Sequence, residues 1–146
     1  MKNLRIFTAL LVTMIFSITM SYADGNDSNT DELVVKHQEI IAKAGIRDWK
    51  CYAECADALM SQRIINDEIL SWINKSIEIK ETVFNRILMG DYLVLKNKPV
   101  EAKKEYIKAI SLAQATGERD KISGIQWKIL IAMGVENYNN FHANNK

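Results

Sequence analysis

Turn-forming residues are scarce in this chain, with one proline and six glycines in 146 residues. A β-sandwich or barrel changes direction every few residues and draws on Gly and Pro to do so, which excludes an all-β fold at the outset. Charge of one sign is lacking too. The 19 Lys+Arg stand against 18 Asp+Glu, a net charge of +1. Without a basic excess there is no electrostatic footprint for a nucleic acid, and none is expected as a partner. Catalytic motifs are absent: no G-x-S-x-G, no H-E-x-x-H, no phosphate loop and no G-x-G-x-x-G. Nothing therefore points to an enzyme, to a catalytic residue or to a cofactor. What the chain does have is 48% hydrophobic and 25% charged residues. That balance suits one globular domain, and the many Lys, Glu, Ile, Leu and Ala favour helices.

Residues 1–23 stand apart. Lys2 and Arg5 give a positive start, and Ser21-Tyr22-Ala23 places small residues at the outer positions of a triplet that a signal peptidase accepts. Between them, Ile6 to Met20 is an apolar run of about 15 residues, shorter than the about 20 that a membrane span requires. The expectation is a signal peptide cleaved after Ala23, export to the periplasm or the exterior, and no stable membrane insertion afterwards. Losing Lys2 and Arg5 takes the 19 basic residues to 17 against 18 acidic ones, a net charge of −1.

A flexible lead is expected at 24–30, a helical domain at 31–138 and a polar tail at 139–146. Thr30 can cap a first helix, which Gly45 would end in a left-handed stop. Asp48, Asn66 and Thr82 can cap the next three. Pro99 sits where a first-turn proline belongs, Gly117 ends that fifth helix, and a sixth runs from about Glu118 to about Asn137. Helices joined this tightly are antiparallel neighbours. The expected fold class is all-α, as a closed bundle or as stacked hairpins.

Recurring small residues favour the stack. Gly90, Ala102, Tyr106 and Ala109 follow one another at separations of 12, 4 and 3. Large side chains hold helices about 10 Å apart and small ones allow about 8 Å, so an array built on close crossings repeats them. Shifted back by 33, Ile69, Ile73, Ser76 and Ile77 stand opposite Ala102, Tyr106, Ala109 and Ile110, and Asp57 stands opposite Gly90. Gly124 lies 34 after Gly90. This pattern resembles the tetratricopeptide repeat, a helix–turn–helix unit of about 34 residues. Arg86, Met89, Leu93 and Gln114 depart from the family's other positions. The stretch DEILSWINKSIEI also resembles a segment of exported bacterial proteins.

The resemblance implies a function class. Stacked hairpins curve, and their first helices line a concave face that holds a peptide or a partner's helix. Mapped here, that face carries Cys51, Glu54, Cys55 and Ala58, then Phe84, Ile87, Asp91 and Leu95, then Lys121, Ile125 and Lys128. The alternative is that the sixth helix covers Phe84, Ile87 and Leu95. The expected function is an exported binding module, or scaffold, for another protein or peptide, with its oligomeric state left open. Two other classes stay open: a thiol- or metal-handling protein using Cys51 and Cys55, or a structural subunit of an envelope complex. The two cysteines are four apart on one helix face, where an unstrained helix does not bring the Cβ atoms together for a disulfide. Packed thiols, a strained disulfide and a metal or redox pair are all compatible with that spacing. His37 reads as a solvated surface residue, and Trp49, Trp72 and Trp127 as packing residues.

Overall fold

A computed structural model describes the backbone of residues 27–144 and the side chains of 29–134. The expected signal peptide and the first residues of the lead lie outside the described residues. Among the described residues there are six α-helices and no strand: α1 (Asp27–Lys43), α2 (Trp49–Ser61), α3 (Asp67–Ile79), α4 (Val83–Leu95), α5 (Pro99–Thr116) and α6 (Ile122–Asn144), with a 3₁₀ turn at Arg119–Lys121 before α6. The chain divides between Leu33 and Val34, and the hairpins lie in the part from Val34 onward.

Local chemistry sets most boundaries. The Asp48 carboxylate accepts from the Cys51 N–H at 3.1 Å and the Asn66 side chain from the Ile69 N–H at 3.0 Å. Thr82 and Asn85 cap each other's backbone N–H groups, at 3.3 and 2.9 Å. Each cap satisfies a donor that the first helical turn leaves unpaired and contributes about 1 kcal/mol. Gly117 ends α5 at φ 82°. α2 and α4 end on non-glycine residues in the left-handed region, Arg63 (φ 62°) and Asn97 (φ 57°). In both, the N–H one residue further on returns to the carbonyl five positions back, Ile64 to Leu59 at 3.1 Å and Lys98 to Leu93 at 2.8 Å. This is the Schellman closure, and it satisfies carbonyls that the last turn cannot.

These features recur at one fixed interval. The caps Asp48 and Thr82, the 13-residue helices α2 and α4, and the left-handed closers Arg63 and Asn97 all stand 34 apart. The register of the first helices is therefore 34. Ala56, not Asp57, stands opposite Gly90, and Asp57 stands opposite Asp91. In the second helices the register of 33 holds for burial: Ile69 and Ala102, Ile73 and Tyr106, Ser76 and Ala109 are all buried.

The architecture is all-α, with antiparallel helices stacked in adjacent pairs. α2 packs on α3, α4 on α5 and α5 on α6, while α3 and α4 join the pairs. Gly90 marks the closest crossing. A Cβ placed on it would fall 2.6 Å from Cδ1 and 2.8 Å from Cζ of Tyr106, and closer still to Cε1. The α3–α4 joint is polar inside. Asn85, fully buried, donates to Ser76 Oγ at 3.0 Å and to the Lys80 carbonyl at 2.8 Å. Between α4 and α5, the Arg86 guanidinium meets Glu105 at 2.7 Å, and Lys108 meets the same carboxylate at 2.7 Å.

Four expectations are corrected. α1 starts at Asp27, so Thr30 is not its cap and the lead is helical from 27. Gly45 is not left-handed. The Ala44 N–H instead bonds the Ile40 and Ile41 carbonyls, and the Gly45 carbonyl accepts from Asp48 in a turn. α6 continues to Asn144, through most of the expected tail. Gly124 is not at a helix crossing among the described residues: a Cβ there would have nothing within 4 Å.

Candidate functional site

Residues mapped to the first helices of the pairs line clefts at two places. One, of about 260 Å³, lies where α4, α5 and α6 meet and is lined by Asp91, Val94, Leu95, Tyr106, Lys128 and Ile131. Its floor is polar and organised. Tyr106 springs from the buried side of α5, where Ala102, Ala109 and Ala113 leave room around it. It passes Gly90 and donates its hydroxyl to Asp91 Oδ1 at 2.7 Å. From α6, Lys128 Nζ donates to both oxygens of the same carboxylate, at 2.8 and 2.9 Å. Burial first, and then the Asp91 carboxylate, raise the Tyr106 hydroxyl well above the usual tyrosine range, so it stays a donor. Val94, Leu95 and Ile131 form apolar walls around this floor.

Asp57 on α2 belongs to the same electrostatic strip. Its carboxyl is raised above the ordinary value of 3.8, first by burial and then by repulsion from Asp91, with Lys128 opposing the shift and Glu54 adding to it. Acidic groups at equivalent positions of α2 and α4 thus share one lysine from α6.

The second cleft, of about 390 Å³, is lined by His37 and Ile40 of α1 and by residues of the α2 start that include Cys51, Glu54, Cys55 and Ala58. His37 is half-buried there rather than fully on the surface, and its backbone carbonyl faces the Cys55 thiol at 4.0 Å. Both cysteines are free thiols. Burial, and then the neighbouring Cys51, push the Cys55 thiol up to about 12, so it is protonated at neutral pH and a poor nucleophile. Among the described residues, no group of three or more His, Cys, Asp or Glu is placed to hold a metal ion.

The residues mapped to a concave face divide accordingly. Asp91, Leu95 and Lys128 meet in the first cleft, and Cys51, Glu54, Cys55 and Ala58 in the second. Phe84 and Ile87 are half-buried and line neither, Ile87 because it packs on the core of α5 and α6. Ile125 is only 1% exposed and is a core residue, since it is the α6 side chain turned toward α5. Lys121 lies in the 3₁₀ turn and pairs with Glu118, away from the cleft. Trp127, expected to pack, is exposed. Sequence reasoning missed Tyr106 as a polar group, and Val94, Ile131 and Asp57 altogether. Asp57 was within reach, because it stands one repeat interval before Asp91.

The described chain is thus a stack of helical hairpins with a small apolar cleft around a fixed Asp–Tyr–Lys cluster. Compared with known protein families, with curated proteins and with solved structures, it matches none. Among the described residues, no helix is long and apolar enough to cross a membrane.

Proposed function

We propose that this protein is an exported binding module of the tetratricopeptide class, and that it takes an extended peptide segment of another protein in the cleft between α4, α5 and α6. The observation that carries this reading is the Asp91 carboxylate held by Tyr106 and Lys128 between apolar walls. A carboxylate fixed in this way still has lone pairs for a peptide N–H, while Val94, Leu95 and Ile131 offer apolar contact to the adjacent side chain. Drug-sized ligands fill about 300–1,000 Å³. At about 260 Å³ the cleft is sized for a single side chain and its neighbouring backbone. The recurrence of caps and left-handed closers at one shared interval supports the repeat class. Export rests on Lys2, Arg5, the short apolar run and Ser21-Tyr22-Ala23.

Crosslinking capture from envelope extracts tests the reading, with Leu95→Asp and Leu95→Lys as controls, both at an exposed wall of the cleft, and thermal melts of all three proteins. A partner held by the wild type and lost by both variants, at unchanged melting, supports it. A partner retained by both places the binding surface elsewhere. An intact mass showing a mature chain that still begins at Met1 would remove the export step.

A further inference from the structure

Among the described residues, α6 exposes more large apolar side chains than any other helix. One face, Ile125 and Ala132 with Ile122 and Ile129 beside them, packs on α5. On the remaining surface, Trp127 is 64% exposed, Leu130 58%, Ile131 50% and Met133 37%. A helix that caps a repeat stack needs a polar outer face. α6 has little: from Ile122 to Gly134 its exposed polar side chains are Ser123 and Gln126, and its sole charged residue is Lys128, which is engaged by Asp91.

We propose that the outer face of α6 is a two-fold interface on which a second copy of this chain docks, with the two α6 helices antiparallel. The pattern along the face supports a copy over a foreign partner. Gly124, Trp127, Ile131 and Gly134 are spaced 3, 4 and 3 apart, the interval of a helix–helix seam. The spacing, though not the residue order, is symmetric about position 129. A two-fold antiparallel pairing sets Trp127 of one copy against Ile131 of the other, and Gly124 against Gly134, each contact occurring twice, as an isologous interface requires. Helical side chains lean toward the N-terminus, so each indole leans toward the level where the two glycines face each other. Both glycines are open, with nothing within 4 Å of a Cβ built on either. The hollow they leave accommodates the indole.

Area and charge agree with this occupant. Trp127 and Ile131, with Leu130 flanking the seam, offer roughly 350 Å² of apolar surface per copy, the size of patch that marks an interaction site. Doubled in a symmetric pair, with rim atoms added, it reaches the about 1,000 Å² that a specific interface needs. An uncharged face also meets its own copy without like-charge repulsion, and offers nothing to attract a charged partner.

Light scattering on the purified chain, with the chain mass read by mass spectrometry, decides the proposal. The expected result is a particle of twice the chain mass. Trp127→Glu and Ile131→Lys should each give single chains with unchanged helical circular dichroism. Mixed in equal amounts they should re-form a particle of two chains, because position 127 of one faces position 131 of the other. If either variant loses its helical signal, Trp127→Ala replaces it and should weaken self-association at least tenfold. A wild type that stays a single chain at every attainable concentration overturns the proposal, as does an open series of larger particles. A mixture of the two charged variants that stays monomeric overturns the antiparallel register.

Discussion

The hairpins α2–α3 and α4–α5 share a frame and differ in what fills it. Their first helices have the same length, and their side-chain N-caps and Schellman closures stand at the same interval. In the first hairpin, Ala53 and Ala56 on α2 and Ile69 and Ile73 on α3 are all fully buried. In the second, Gly90 replaces Ala56, Ala102 replaces Ile69 and Tyr106 replaces Ile73. A core at organic-crystal density tolerates such exchanges when the total volume is kept, so a smaller residue on one helix goes with a larger one on its neighbour. The exchange has a chemical consequence. Isoleucine ends in a methyl group, whereas tyrosine carries a hydroxyl through the Gly90 notch to Asp91. The second hairpin thereby gains a fixed carboxylate that holds Lys128, and Asp57, its counterpart, is left with a carboxyl raised by burial and by Asp91. The candidate site lies on the second hairpin because one aromatic residue reaches through one glycine.

The comparison breaks most sharply at the notch. Gly90→Leu should cost roughly 3 kcal/mol or more, because Tyr106 is buried and its hydroxyl is pinned, so the ring cannot withdraw. Gly90→Ala should also destabilise, although alanine is the better helix former by about 1 kcal/mol. Ala56→Gly on the first hairpin should cost about 1 kcal/mol from propensity plus the lost methyl contacts. Denaturant melts check all three, and tolerance of Leu at position 90 would mean that the crossing is not close.

The joint between the hairpins comes next. Asn85→Ala removes a cap and leaves the Ser76 hydroxyl and the Lys80 carbonyl buried without their donor. A loss of about 2–3 kcal/mol is expected, with the helix content of the folded state retained. Tyr106→Phe tests the consequence of the exchange itself. It should cost about 1–2 kcal/mol by removing the hydroxyl from Asp91 while leaving the packing intact. The contrasting Ile73→Val should cost about 0.5–1.5 kcal/mol through lost packing alone.

Acid should separate the hairpins by sign. Burial by itself would raise the Glu105 carboxyl, but the hydrogen bonds and charges of Lys108 and Arg86 prevail and hold it below its ordinary 4.5. Its contribution is present above that value and is lost as pH falls through the folded pKa. Asp57 is raised above 3.8, so it favours the folded state only below 3.8 and loses that contribution as pH rises through its folded pKa. Glu105→Gln should therefore lower the melting temperature at neutral pH and Asp57→Asn should raise it. Both differences should fade in acid, and melts across the acid range read them directly. The smallest effect concerns the first hairpin alone. With its thiol pushed up to about 12, Cys55 should be alkylated far more slowly in the folded protein than in denaturant. Rapid labelling of the native chain at Cys55 would contradict its burial.

The sequence alone was enough for the class of fold, for the six helices among the described residues and for the starts of α2 to α5 and the end of α5, because caps, first-turn proline and the Gly117 stop act within a few residues of themselves. Asp48, Asn66, Thr82, Pro99 and Gly117 all sit where local chemistry places them. Gly90 with Ala102 and Tyr106 was also legible, since close crossings restrict residue size at fixed spacing. The left-handed Arg63 was not, because arginine has no preference for that conformation; Asn97 was within reach, since asparagine is the residue after glycine that most readily adopts it. The site depended on tertiary structure. Asp91, Tyr106 and Lys128 come from three helices, and which side of Tyr106 mattered was decided by the gap opposite Gly90. Ile125 and Lys121 failed as groove residues, and Gly124 as a packing residue, because the 3₁₀ turn and the rotation of α6 on α5 set which face of that helix is buried. With apolar residues on both its buried and its exposed sides, the sequence periodicity of α6 carries little information about that choice.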